Sequence, residues 1–386
     1  MFGLPPLRRT LEAALRDVES DKPEVRAAAA TDLGFVDGDD APWALGALRP
    51  LLEDSASVVR AAAVTSLGIL RDGEHLEALA RCFDDEDPRV RQEATVAVAS
   101  LGGPRALEVL RAGLEHPHAE VRYQALLALA VCAPEEGLGA ALSALESPDR
   151  WIASEAALLA GQLLGGDPER PRATPTHSWD EATHRRVREA LARRLDDLDD
   201  RVAVCAAASL ARLGDATATP VLLAAVRGTR RIVGDDAEEV TLAVLNGLAL
   251  APERYQTEAR AALGAVAWRL LPSPRRLHAR VALCRLGDAR ACQELLAQLR
   301  SPWPARRVEA AKMARLARYT EALEPLLGLL AGSTEEVFAA VEALGSLGGR
   351  RAREALLRLS VDTEDEELRV AARRAAAGLS CEEEGS

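Results

Sequence analysis

Residues Asp84–Gly103 read DDEDPRVRQEATVAVASLGG, and the fold follows from this stretch because variants of it recur along most of the chain. Asp87 suits a helix N-cap, and Pro88 then falls at the first helical position, where no amide hydrogen is required. Val90, Ala94, Val98 and Leu101 follow at intervals of four, four and three, which draws one apolar stripe along a helix. Gly102 and Gly103 end it. Just upstream, EHLEALARCF from Glu74 carries a second stripe at Leu76, Leu79 and Phe83. Two short amphipathic helices joined by an acidic turn form a hairpin. Neither can hide its stripe alone, so hairpins must stack.

The copies are DKPEVRAAAATDLG from Asp21, DSASVVRAAAVTSLG from Asp54, the segment from Asp87, and HPHAEVRYQALLALA from His116. They share a Val-Arg pair whose arginines, Arg26, Arg60, Arg91 and Arg122, are spaced 34, 31 and 31 apart. Looser copies continue to the C-terminus, giving about ten or eleven helical hairpins, an all-α solenoid.

The pattern Asp-x-x-x-Val-Arg-x-x-Ala-x-x-x-Leu-Gly resembles the second helix of HEAT repeats, in the short bacterial form called phycobilisome-lyase-like, over nearly the whole chain. The resemblance implies a right-handed superhelix whose Val-Arg helices line the concave surface. It also implies a ladder between neighbouring repeats, in which Arg26, Arg60, Arg91 and Arg122 bond turn carboxylates such as Asp21, Asp54 and Asp87. The ladder breaks where the matching positions hold Ala153, Ala203 and Thr241.

Of 386 residues 48% are hydrophobic but only 3% aromatic, so small aliphatic side chains must do the packing. No apolar run is long enough for a signal peptide or a membrane span, and six cysteines lie scattered without CxxC spacing. A reduced, cytoplasmic protein is the expectation. Lysine is confined to Lys22 and Lys312, a bias that fits a GC-rich genome. The net charge of -12 is uneven: residues 1–200 carry 22 basic and 36 acidic side chains, or −14, whereas residues 201–350 carry 20 and 15, or +5.

Regular repeats are expected over 1–164 and divergent ones over 184–378, with an acidic tail at 379–386. Between the two blocks, 165–183 is rich in Gly, Pro and Thr and reads as an inserted loop. It is either a tolerated surface insertion or a partner-contacting loop using Trp179 and His177. A shorter excess, RGTRRIVGDDAEE, begins at Arg227.

Chemistry is hard to find. Deoxyhypusine hydroxylase, an enzyme built of such repeats, holds two irons with His-Glu dipeptides, and this chain has none. HEAT-like alkylpurine DNA glycosylases need a strongly basic inner face, yet the first 200 residues are net acidic. Phycobilin lyases share the repeat type, but a repeat is a scaffold signature and not a catalytic one. Phosphate-loop, dinucleotide, HExxH and GxSxG motifs are missing. His116 and His118 form a lone HxH in a turn, and His278 with Cys284 and Cys292 falls on apolar faces, so no metal or cofactor is expected. Acidic turn clusters such as Asp196, Asp197, Asp199 and Asp200 lack the glycine of a calcium loop and instead favour helix dipoles.

From Arg269 to Arg318 twelve basic residues face three acidic ones, a local excess of +9, with Trp268 and Trp303 at the margins. Arginine here is either the default polar residue of the genome or an anion-seeking surface. In the second case Arg275, Arg276, Arg280, Arg306 and Arg307, with Trp303 and Trp179, are the partner-binding candidates. The composition therefore favours a non-enzymatic scaffold that binds another protein, one with an acidic surface or tail, along its concave face and loops. Nucleic-acid binding through 269–318 is the alternative, a bilin-lyase-like or other enzyme a third, and self-association through opposite charges remains open.

Overall fold

The computed structural model describes residues 9–71, 73–165, 178–231, 237–268 and 273–379. Within them the local rules act as the sequence requires. Asp87 accepts the Arg89 amide at 2.9 Å, Pro88 sits in the first turn, and the helix runs to Leu101. Val90, Ala94 and Val98 are fully buried. Gly102 takes φ 66°, a left-handed value that frees the chain to turn directly into the next helix at Gly103.

Twenty-two α-helices follow one another in eleven successive pairs among the described residues. The first five pair α1 (Leu11–Asp17) with α2 (Pro23–Leu33), α3 (Ala41–Leu51) with α4 (Ser57–Leu70), α5 (Leu76–Arg81) with α6 (Pro88–Leu101), α7 (Gly103–Gly113) with α8 (Ala119–Cys132), and α9 (Pro134–Ala144) with α10 (Arg150–Gly165). The next three pair α11 (Glu181–Ala192) with α12 (Asp200–Arg212), α13 (Thr219–Val226) with α14 (Ala237–Leu248), and α15 (Gln256–Ala267) with α16 (Pro274–Arg285). The last three pair α17 (Ala289–Leu299) with α18 (Pro304–Ala317), α19 (Leu323–Leu329) with α20 (Thr334–Leu347), and α21 (Arg350–Asp362) with α22 (Glu366–Ala377). The architecture is an α-solenoid.

The helices gather into two compact units, Met1–Leu159 and Ala160–Ser386. In the first, the second helix of each hairpin lies on the second helix of the next, α2 on α4, α4 on α6 and α6 on α8. In the other, α12, α14, α16, α18, α20 and α22 stack in the same order. Small residues set how near these helices come. A methyl group placed on Gly68 would lie 2.9 Å from the Ala97 Cα, and one on Gly34 would lie 2.6 Å from the Ser66 hydroxyl. The Ser66 hydroxyl itself donates 2.8 Å to the Ala30 carbonyl of the neighbouring helix, and Ser100 does the same to Gly68. Leu33, Leu48, Leu67 and Leu79 fill the core alongside, all without exposed surface.

The segment between the repeat blocks is narrower than its composition suggests. Gly165 still belongs to α10, and Glu181–Thr183 already belong to α11, because Asp180 caps that helix through the Thr183 amide at 2.7 Å. Residues 166–177, including His177, lie outside the described residues, as do 232–236 of the shorter excess, Arg269, and 380–386 of the acidic tail. No helix among the described residues is long and apolar enough to cross a membrane.

Candidate interaction surface

One arginine recurs at the fourth residue of a second helix: Arg26 in α2, Arg60 in α4, Arg91 in α6 and Arg122 in α8. Each guanidinium grips backwards and forwards. Backwards it donates to the carbonyl six residues earlier in its own turn, Ser20 at 2.8 Å, Asp54 at 2.8 Å, Asp85 at 2.6 Å and His116 at 2.9 Å. Forwards it reaches a carboxylate of the following hairpin. Arg26 holds both oxygens of Asp54 at 2.7 Å, Arg60 both of Asp85 at 2.8 Å, Arg91 binds Glu120, and Arg122 binds Asp149 at 2.9 Å. Two parallel N–H···O bonds on a carboxylate favour its charged form. The Arg26 hydrogen bond accordingly holds the Asp54 carboxyl below its ordinary range.

These contacts correct the expected partners. The acceptor lies in the hairpin that follows, so Asp21 bonds no ladder arginine and acts on Arg26 through charge alone. Asp85, not Asp87, faces Arg60, because the Asp87 carboxylate is turned onto the Arg89 amide as a cap. Arg307 is a further correction. It occupies the fourth position of α18, donates 2.6 Å to the Ser301 carbonyl and binds Glu336, so it is a rung and not a partner-facing group. Glu336 in turn accepts the Ser333 amide and hydroxyl, and the Arg307 hydrogen bond, followed by the Ser333 amide, holds its carboxyl at about 2.

Arg280 leaves the candidate surface as well. It is 5% exposed, paired with Glu294 at 3.1 Å and bonded to the Ala267 carbonyl, and desolvation lowers its pKa. The Trp268 ring is approached by Arg280 and Arg290, whose guanidinium carbons stand 5.1 and 4.0 Å from the ring centre. Trp179 is half-buried, its indole donating 2.9 Å to the Leu163 carbonyl. Arg276 is half-buried at the start of α16.

What stays open to solvent is smaller and better defined. Arg275 and Arg306, in the first turns of the packed helices α16 and α18, are exposed and make no ion pair with a described residue, and Lys312 is likewise free. Trp303, the N-cap of α18, is 65% exposed.

Where the ladder arginine is missing, the structure improvises. Ala203 has no guanidinium to offer the Asp197 carbonyl six residues before it. Arg230, from the following hairpin, reaches back to that carbonyl at 3.3 Å, to Leu195 at 3.3 Å and to the Asp200 carboxylate at 3.2 Å. Sequence reasoning missed this reversed rung, since nothing in RGTRR distinguishes Arg230 from its neighbours.

No group of three or more potential metal ligands occurs among the described residues. His116 pairs with Asp84 at 3.2 Å and meets the Phe83 ring edge-on. Burial pushes the Cys284 thiol up, with the Cys292 thiol beside it, which leaves it a poor nucleophile.

A helical solenoid with an arginine ladder defines a class of repeat protein, and comparison narrows it. The family of HEAT repeats matches residues 8–99 and 47–130. Residues 8–130 are thus of the HEAT-repeat type. No curated protein matches the sequence. Among solved structures, yeast importin-β is 13% identical, with a TM-score of 0.51 over 96% of this chain and 57% of that one, so this chain spans a little over half its length. The CpcE–CpcF complex of phycocyanin lyase from Nostoc sp. is 19% identical, with a TM-score of 0.36 over 74% of this chain and 99% of that one.

Proposed function

We propose that the chain is a non-catalytic scaffold that captures another protein through an acidic surface or tail. The observation that carries this is the pair of exposed arginines, Arg275 and Arg306, which have no ion pair among the described residues and stand on adjacent second helices, with the exposed Trp303 capping the second of these. On the same two helices Arg307 is held by the ladder and Arg280 by Glu294. Arg275 and Arg306 are instead turned outward, at helix N-termini whose dipoles also attract negative charge. An exposed tryptophan beside paired guanidinium groups has the composition of an interface hot spot. Importin-β, which shares the fold, has been solved in complex with Nup1, an instance of the fold holding another protein.

Affinity capture from the native cell with the full chain, against Arg275→Glu with Arg306→Glu and against Trp303→Ala, tests the reading. Both variants should lose the partner, and equal recovery by all three chains would overturn it. Binding of an acidic protein through an apolar anchor should decline modestly with salt. A steep decline, with DNA or RNA in the captured fraction, would instead favour a nucleic acid.

A further inference from the structure

A cleft lies beside Thr241, where the Val-Arg pattern lacks its arginine. It encloses about 450 Å³ within the second unit and is lined by α13, α14, α15 and α16. Its apolar wall is Val226, Val244, Leu245 and Val266. Its polar rim is Arg230, Arg231 and Arg275, with Thr241 among the lining residues. In the regular repeats the residue that follows the valine of the Val-Arg pair is a ladder arginine bridging two turns, and Thr241 follows Val240 in the same way. Here Thr241 is too short, and its hydroxyl is already spent on the Ala237 carbonyl at 2.6 Å.

The charge of the rim is unbalanced. Arg230 is neutralised by Asp200, which also accepts the Arg231 amide at 2.9 Å. The guanidinium groups of Arg231 and Arg275 make no ion pair with a described residue, and both are exposed. They come from two different elements, the segment after α13 and the first turn of α16. A planar carboxylate is satisfied by one bidentate guanidinium, whereas a tetrahedral dianion takes donors from several directions at once. Two exposed positive charges without an ion-pair partner among the described residues match the two negative charges of a phosphate monoester, and the aliphatic wall suits an apolar body attached to it.

We infer that this cleft binds a small organic phosphate monoester, the phosphoryl group between Arg231 and Arg275 and an apolar body against Val244 and Val266. The cleft shares Arg275 with the proposed capture surface, but Trp303 and Arg306 do not line it and Arg231 is no part of that surface, so Arg231→Gln and Trp303→Ala tell the two activities apart.

Calorimetric titration of the full chain with phenyl phosphate, inorganic phosphate and benzyl alcohol tests this. Phenyl phosphate should bind saturably and about tenfold more tightly than inorganic phosphate, and benzyl alcohol should not bind. Raising salt from about 50 mM to about 500 mM should weaken the phosphate ligands. Arg231→Gln and Arg275→Gln should each lose about tenfold in affinity, whereas Arg89→Gln, on α6 of the other unit, should lose nothing. Thr241→Arg places a guanidinium in the cleft and should abolish binding while circular dichroism remains that of the parent. Absence of saturable binding, equal binding by Arg231→Gln, or binding of benzyl alcohol alone would each overturn the inference.

Discussion

Arg60 and Asp85 have side chains only 8% and 10% exposed, so the cost of removing one of them is mostly the charge left behind. Breaking such a pair costs about 3–5 kcal/mol, while removing both charges costs far less. Arg60→Met should therefore lower stability to urea by about 3 kcal/mol, and adding Asp85→Asn should recover at least about a third of that. Glu336 gives the same physics a pH signature. Its carboxyl, ordinarily near 4.5, is held at about 2 by Arg307 and the Ser333 amide, so the folded state binds its proton less readily than the unfolded state does. The resulting stability is complete above about pH 5 and drains away as pH falls toward 2. Glu336→Gln should flatten this acid limb, as urea midpoints at pH 6 and pH 3 would reveal; an unchanged limb would assign acid sensitivity elsewhere.

The four Val-Arg pairs of the N-terminal repeats were legible because Val and Arg keep a fixed order. Arg307 was not, because it precedes Val308 instead of following a valine, and only its place three residues after Pro304 matches Arg26 after Pro23 and Arg91 after Pro88. The choice between Asp85 and Asp87 was not legible either. Both stand in one acidic run, and the turn alone decides which carboxylate caps and which accepts.

Single elements carry their own tests. Helix α4 ends on Arg71 with φ 53°, a left-handed conformation that costs a side chain about 1 kcal/mol and that glycine adopts freely. Arg71→Gly should raise stability by up to about that amount, read as a higher thermal midpoint of the first unit. Gly68 should behave oppositely. Its Cβ position meets the backbone of α6, which cannot swing aside as a flexible side chain could, so Gly68→Val should cost about 2–3 kcal/mol. Helix positions, their apolar stripes and the hairpin count were readable because each repeat obeys the same local rules. The spacing between second helices was not, since it depends on Gly34 meeting Ser66 and Gly68 meeting Ala97 across hairpins.

At the scale of the whole chain, each hairpin packs chiefly on its neighbours, so a disturbance stays near its origin. Hydrogen exchange of Arg60→Met should show faster exchange in peptides of Met1–Leu159 and unchanged rates in peptides beyond α12. Uniform acceleration throughout would mean that the array melts as one body. The basic excess of 269–318 was visible as a sum, but its meaning was not. Burial assigns Arg280 to Glu294 and the ladder claims Arg307, while Arg275, Arg285, Arg290, Arg300, Arg306 and Lys312 stay exposed.

The ladder also makes the chain extensible. Each rung takes its donor from one hairpin and its acceptor from the following one, so a duplicated hairpin arrives with both halves of a joint. Excising the 31 residues 71–101 would remove Arg91 together with Asp85 and bring Arg60 opposite Glu120, the acceptor Arg91 now holds. Length can thus be edited in whole modules without redesigning any seam, a freedom that a closed globular core does not grant.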